Sequence, residues 1–209
     1  DIARRLHKLT DNLVTPDVLA KFPGVRTDQL NIYVVSSVCG GTGAGLFLDI
    51  AYELRYLQKQ AHLPEKSRIK GLFALGDVYD AVSRRVQANT YASLRELNWI
   101  QKEDASFHPV YPDGTRDVIK GRAFDAIYLF GDSNKQDIKI SSPDDFAQLC
   151  AEFIFLDSGA DVQENGDALS TMMQSNRNNA EVYTMNYDAD GAPRCYSAMG
   201  LCKVRFPVD

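Results

Sequence analysis

The chain is poor in the residue groupings that metal sites and histidine-based catalysis need. Its three histidines, His7, His62 and His108, are scattered, and its four cysteines form no Cys-x-x-Cys pair. Tetrahedral zinc sites draw on such pairs, so no metal site is expected. No Gly-x-Ser-x-Gly elbow occurs, and no histidine has an evident Ser or Cys partner, which argues against a hydrolase of that type. Cys39, Cys150, Cys195 and Cys202 read as free thiols of a reducing cytoplasm. Basic stretches with interleaved aromatics are also missing, and the formal net charge is −5, which argues against a nucleic-acid partner. No apolar run reaches the length of a membrane span. The start, Asp1-Ile2-Ala3-Arg4-Arg5, does not read as a signal peptide, and the absence of an initial Met suggests a fragment or a processed chain. No repeat or low-complexity segment is visible.

What is present is ordinary in bulk and concentrated in one place. With 209 residues, 44% of them apolar and 24% charged, the chain can bury one sizeable core. The concentration is Ser36-Ser37-Val38-Cys39-Gly40-Gly41-Thr42-Gly43-Ala44-Gly45. It follows an apolar run, Leu30 to Val35, that reads as a buried strand, and precedes Leu46 to Gln58, which reads as a helix. Strand, glycine loop and helix together suit an anion. Bare backbone lets N–H groups approach closely, and the helix start adds its positive dipole end. Thr42 contributes a hydroxyl. A P-loop would need a Lys after the glycines, and none follows. The dinucleotide fingerprint needs Gly-x-Gly-x-x-Gly, whereas here Gly41-x-Gly43-x-Gly45 runs into Leu46.

Along the chain, 2–22 reads as one or two helices, with Ile2, Leu6, Leu9 and Leu13 at helical spacing. In the helix after the glycines, Leu46, Phe47, Ile50, Ala51, Leu54 and Leu57 form one expected packing face. A second strand covers Ile69 to Leu75, and a long helix covers about 79–101. An irregular polar excursion spans 102–122, and a third strand runs from Phe124 to Phe130. Ser142-Pro143-Asp144-Asp145 is a helix start with a capping Ser, and the helix is expected to reach about Leu156. After a polar stretch with a short helix near Ala168 to Gln174, Glu181 to Tyr187 and Cys195 to Phe206 read as a β-hairpin turning at Asp190-Gly191. The fold class is therefore α/β and Rossmann-like: a mostly parallel sheet flanked by helices over 1–156. The polar connection and hairpin of 157–209 pack on the same domain. In such a sheet the strand ends face one crevice: the glycine loop, Gly76-Asp77 and Asp132 to Asn134.

Gly-Gly-Thr-Gly-Ala-Gly resembles the signature loop of the tubulin and FtsZ superfamily. The context VVSSVCGGTGAGLFLDIAYELR looks most like the bacterial tubulin-like proteins. The resemblance covers roughly 28–156. It implies that Gly40, Gly41, Thr42, Gly43, Ala44 and Gly45 hold the phosphates of GTP or GDP, with Mg2+ as the accompanying cation. It implies that Arg85 and Asn89, one turn apart, reach the ribose and phosphates; otherwise they form a solvated face. It implies that Asn134 reads the guanine edge, against an ordinary turn residue, and that Phe146 stacks on the base, against a core residue. It further implies head-to-tail self-assembly or a protein partner, with hydrolysis completed by acids from the next subunit. Asp161, Glu164 and Asp167 lie in the comparable stretch without a matching motif. Cys39 stands where the family usually has Gly, and the family's first strand with its own glycine loop has no counterpart before residue 28. The expected function is thus guanine-nucleotide binding with assembly-dependent GTP hydrolysis. The alternatives are a degenerate tubulin-like scaffold without turnover, or a flavin or nicotinamide enzyme using the same crevice.

Overall fold

The computed structural model describes residues 30–60, 67–79, 83–102, 104–111, 114–115, 118–132, 139–140, 142–159 and 196–198. The helices expected at 2–22 and 168–174, the hairpin arm 181–187, Asn134, and the acids Asp161, Glu164 and Asp167 lie outside the described residues.

Four strands form the main sheet, in the order β1 (Asn31–Ser37), β2 (Arg68–Ala74), β7 (Ala126–Phe130), β8 (Tyr196–Ser197), all parallel. A parallel sheet needs cover on both faces, and the side chains of β2 show both. Ile69 and Phe73 enter one apolar core and Leu72 and Ala74 the other. Helices α1 (Gly41–Lys59) and α2 (Arg84–Ile100) close the first face through Phe47, Ala51, Leu54, Leu57, Leu97 and Ile100. Helix α3 (Pro143–Gly159) closes the second through Phe146, Cys150 and Phe153. At Gly71 the Phe73 ring lies so close that a Cβ would meet it at 2.4 Å. That placement sets Phe73 edge-on to both Phe47 and Phe124, each at 5.3 Å between ring centres.

The second face carries a buried charged group. The side chain of Lys70, 7% exposed, pairs with Asp157, 12% exposed, and the Tyr33 hydroxyl donates to the same carboxylate. The Lys70 ammonium also sits 5.4 Å from the centre of the Tyr33 ring. Charges this deep persist only when paired. The arrangement ties the last turns of α3 to the middle of the sheet.

The sequence reading needs five adjustments. Helix α1 begins at Gly41, inside the glycine stretch, and not at Leu46. Leu46 and Ile50 are exposed and do not join the packed face, because Phe47, Ala51, Leu54 and Leu57 already fill it. The expected helix over 79–101 is a 3-10 turn, Gly76–Tyr79, followed by α2 from Arg84. The third strand starts at Ala126, two residues later than expected.

Fifth, the excursion 102–122 is an antiparallel arm. β3 (Ser106–Phe107) pairs with β6 (Ile119–Lys120), and β4 (Val110–Tyr111) with β5 (Gly114–Thr115). Gly114 and Gly121 hold positive φ in it, at 133° and 96°, which side chains disfavour. Its base is fixed to α1, where the Tyr52 ring stacks on Phe107 at 4.3 Å and 3°. Beside it, Arg55 Nε donates to the Ala123 carbonyl at 3.1 Å, and its guanidinium pairs with Asp125 at 3.0 Å. Of the residues expected to form a C-terminal hairpin, Tyr196–Ser197 are described as β8, which runs parallel to β7 in the main sheet.

Candidate functional site

The carboxyl ends of β1, β2 and β7 are stapled in step. The Val38 N–H donates to the Ala74 carbonyl at 3.1 Å, and the Leu75 N–H to the Phe130 carbonyl at 2.9 Å. The chain leaves β1 through Val38 and Cys39, both buried, and Gly40 becomes the N-cap of α1. Gly40 brings no capping side chain, and the first turn carries no acid. The first helical bond there runs from the Ala44 N–H to the Gly40 carbonyl at 3.2 Å. The N–H groups of Gly41, Thr42 and Gly43 precede it, so they have no acceptor within the helix.

The glycines of this turn fall into two kinds. A Cβ on Gly43 would lie 2.0 Å from the Ser37 carbonyl oxygen and 2.6 Å from Ser36 Oγ. Gly43 is therefore required by the fold, through close approach of helix to strand; its φ is not positive. Gly41 and Gly45 are exposed, and a Cβ on either would meet nothing within 4 Å. Glycine inside a helix costs about 1 kcal/mol relative to alanine. Packing among the described residues does not account for that cost at Gly45, nor for glycine at the helix start, Gly41. Thr42 is exposed beside them.

Helix α2 reaches the turn with one side chain. Asn89 Nδ2 donates to the Cys39 carbonyl at 3.0 Å. The approach is close because residue 76 is glycine. A Cβ there would lie 2.7 Å from Val86 Cγ1 and 2.9 Å from Thr90 Oγ1. Asp77, exposed in the 3-10 turn after β2, stands against Gly131 just past the end of β7, its Oδ2 3.1 Å from where a Cβ would lie. The Asp132 carbonyl then accepts the Ile140 N–H at 2.7 Å.

The structure thus brings Gly40 to Gly45 and Asn89 together. Arg85 is exposed on the first turn of α2. Of the two readings of Phe146, stacking ring or core residue, the structure agrees with the core one. Phe146 is 5% exposed, packs edge-on against Phe130 at 5.3 Å, and belongs to the core under α3. The capping geometry that places it is as expected: the Asp145 N–H donates to Ser142 Oγ at 3.1 Å. Sequence reading missed that the Cys39 carbonyl needs a donor from α2 and that Ser36 and Ser37 press on Gly43. Both depend on tertiary approach, and the only local signal was the Ser-Ser pair at a strand end. Among the described residues no group of three or more His, Cys, Asp or Glu could hold a metal ion. Likewise, no helix among them is long and apolar enough to cross a membrane.

A parallel sheet covered on both faces, with a glycine-rich strand-to-helix turn at its carboxyl edge, defines a Rossmann-like α/β domain. The family model described as tubulin like matches residues 2–209, and the chain belongs to that family. No curated protein and no solved structure gives a significant match.

Proposed function

We propose that the chain binds a guanine nucleotide at the turn Gly40 to Gly45 and that hydrolysis depends on assembly with further copies. The observation that carries the reading is the pair Gly41 and Gly45, exposed glycines in a helix with open space before them. The open space at both glycines would admit a phosphate group. The N–H groups of Gly41, Thr42 and Gly43 and the Thr42 hydroxyl would donate to it, aided by the helix dipole. Arg85 would add positive charge, and Asn134 remains the candidate for the base. Asn89 would act by positioning the turn, since its amide is engaged with the Cys39 carbonyl. The residues described do not single out a Mg2+ site.

Hydrolysis needs a group to orient or deprotonate water. The turn supplies donors for developing charge but no base. By family resemblance the acid would come from a neighbouring copy, so phosphate release per chain should rise with protein concentration. Substantial release that stays flat down to the dilute monomer would show a complete site in one chain and overturn the assembly-dependent mechanism. A second reading, a tubulin-like scaffold without turnover, is favoured by the burial of Phe146, which removes the proposed stacking ring. Binding of GTP with no phosphate release at any concentration would decide for it.

A further inference from the structure

Helix α1 is covered on two sides and open on a third. Phe47, Ala51 and Leu54 enter the core of the first face, and Arg55 reaches across to the Ala123 carbonyl and Asp125, just before β7. By the helical period, Leu46 and Ile50 lie on the flank opposite Arg55. In the sheet, β7 lies on one side of β2 and β1 on the other, so this flank is turned toward the outer edge of β1. Leu46 is 49% exposed and Ile50 37%. Leu30 and Ile32, at the same edge and on the same face of the sheet, are only partly buried. These four side chains form an apolar step along the edge of the domain, and Asp49 and Glu53 border it on α1.

We propose that the occupant of this step is the segment 2–13 of the same chain, docked as a helix beside α1. Three observations select it. Ile2, Leu6, Leu9 and Leu13 recur at helical spacing, which gives the segment one apolar face to set against Leu46, Ile50 and Ile32. Arg4, Arg5 and Lys8 outnumber its one acid, Asp11, and so complement Asp49 and Glu53. The segment is also joined to the amino end of β1 through residues 14–29. A tethered occupant competes at an effective concentration on the order of millimolar, which a free partner would have to exceed. The placement uses neither the glycine turn nor a nucleotide, so it stands or falls separately from the proposed function.

Hydrogen exchange on the whole chain, without nucleotide, reads the segment directly. Amides within 2–13 should exchange about tenfold or more slowly than an unstructured chain, to the same degree at every protein concentration. Leu46→Asp with Ile50→Asp should return them to the unstructured rate, while the amides of β2 keep their protection. Phe155→Asp, on the helix that covers the other face of the sheet, should change nothing in 2–13. A cysteine pair reports the placement even where the Asp variant does not fold. With Cys195→Ser and Cys202→Ser in place, Leu6→Cys with Ile50→Cys should cross-link within one chain on mild oxidation, and Leu6→Cys with Phe155→Cys should not. The proposal is overturned if 2–13 exchanges as an unstructured chain in the wild type, if its protection survives Leu46→Asp with Ile50→Asp in a folded protein, or if the first cysteine pair does not close. Protection that appears only as concentration rises, or cross-links that form only between chains, would give the step to a second copy and overturn it as well.

Discussion

The side-chain amide of Asn89 donates to the main-chain carbonyl of Cys39 at 3.0 Å, so the second helix of the sheet's first face holds the turn that starts the first helix. Cys39 is buried, and its carbonyl would lose this donor on substitution. Asn89→Ala should cost about 1–3 kcal/mol, the range for leaving a buried polar group unpaired. Asn89→Asp should cost more, because it sets an acceptor against an acceptor. Urea unfolding of the three proteins measures the order. Wild-type stability in Asn89→Asp would show that the bond is incidental.

The glycines of the turn should respond in opposite directions. Gly43→Ala drives a methyl into the Ser37 carbonyl and should cost about 3 kcal/mol or more, at the high end for overpacking. Gly41→Ala and Gly45→Ala meet open space; the first, at the helix start, should leave stability nearly unchanged, and the second, one turn in, should raise it by up to about 1 kcal/mol. Thermal melts check the signs. A loss at Gly45 equal to that at Gly43 would contradict the division into fold-required and exposed glycines.

The buried Lys70–Asp157 pair should show the asymmetry expected of charges away from water. Lys70→Ala strands the Asp157 carboxylate and should destabilise by about 3–5 kcal/mol. The double replacement Lys70→Met with Asp157→Leu should cost much less than Lys70→Ala, since both charges go together and what remains is the loss of this acceptor by the Tyr33 hydroxyl. Chemical denaturation of single and double variants measures the coupling. Additive losses would show that the two groups do not interact.

Alkaline titration should reveal two buried acids. Burial pushes the Tyr52 hydroxyl from 10.0 up to about 12, partly offset by Arg55, and the Cys150 thiol from 9.0 up to about 11. In both cases the unfolded chain releases its proton first. The stability these groups contribute is present below pH 9 and lost as pH rises through about 9 to 12. Tyr52→Phe and Cys150→Ala should each flatten part of that fall. A pH profile unchanged in both variants would contradict the assignment.

How far the fold could be read in advance depended on whether the cause was local. The strand at Leu30 to Val35 and the helix start at Ser142 were legible, because an apolar run and a capping Ser act within a few residues. The start of α1 at Gly41 was not, because glycine's poor helix propensity argues for a loop where the end of β1 and the Asn89 contact impose a helix. The arm over 106–120 was hidden by its prolines and polar residues. What fixes it lies elsewhere in the chain, in Tyr52 and Arg55 of α1. Leu46 was misplaced, and Phe146 was left open between two readings. Helical period alone does not say which side of an apolar arc meets the sheet, nor whether an aromatic ring faces a crevice or a core. Within the site, the glycine stretch was legible, and the separate role of Gly43 was not, since it rests on the Ser37 carbonyl of the preceding strand.

Calorimetric titration of the chain and of its Gly45→Leu variant with GTP, GDP and ATP tests the central claim most directly. Leucine suits a helix, and the space before Gly45 is open, so the variant should fold as the wild type does. The account predicts heats for GTP and GDP with the wild type, weaker heats for ATP, and none with Gly45→Leu. Equal, negligible heats for all three nucleotides with the wild type, or undiminished GTP affinity in a folded Gly45→Leu variant, would contradict it.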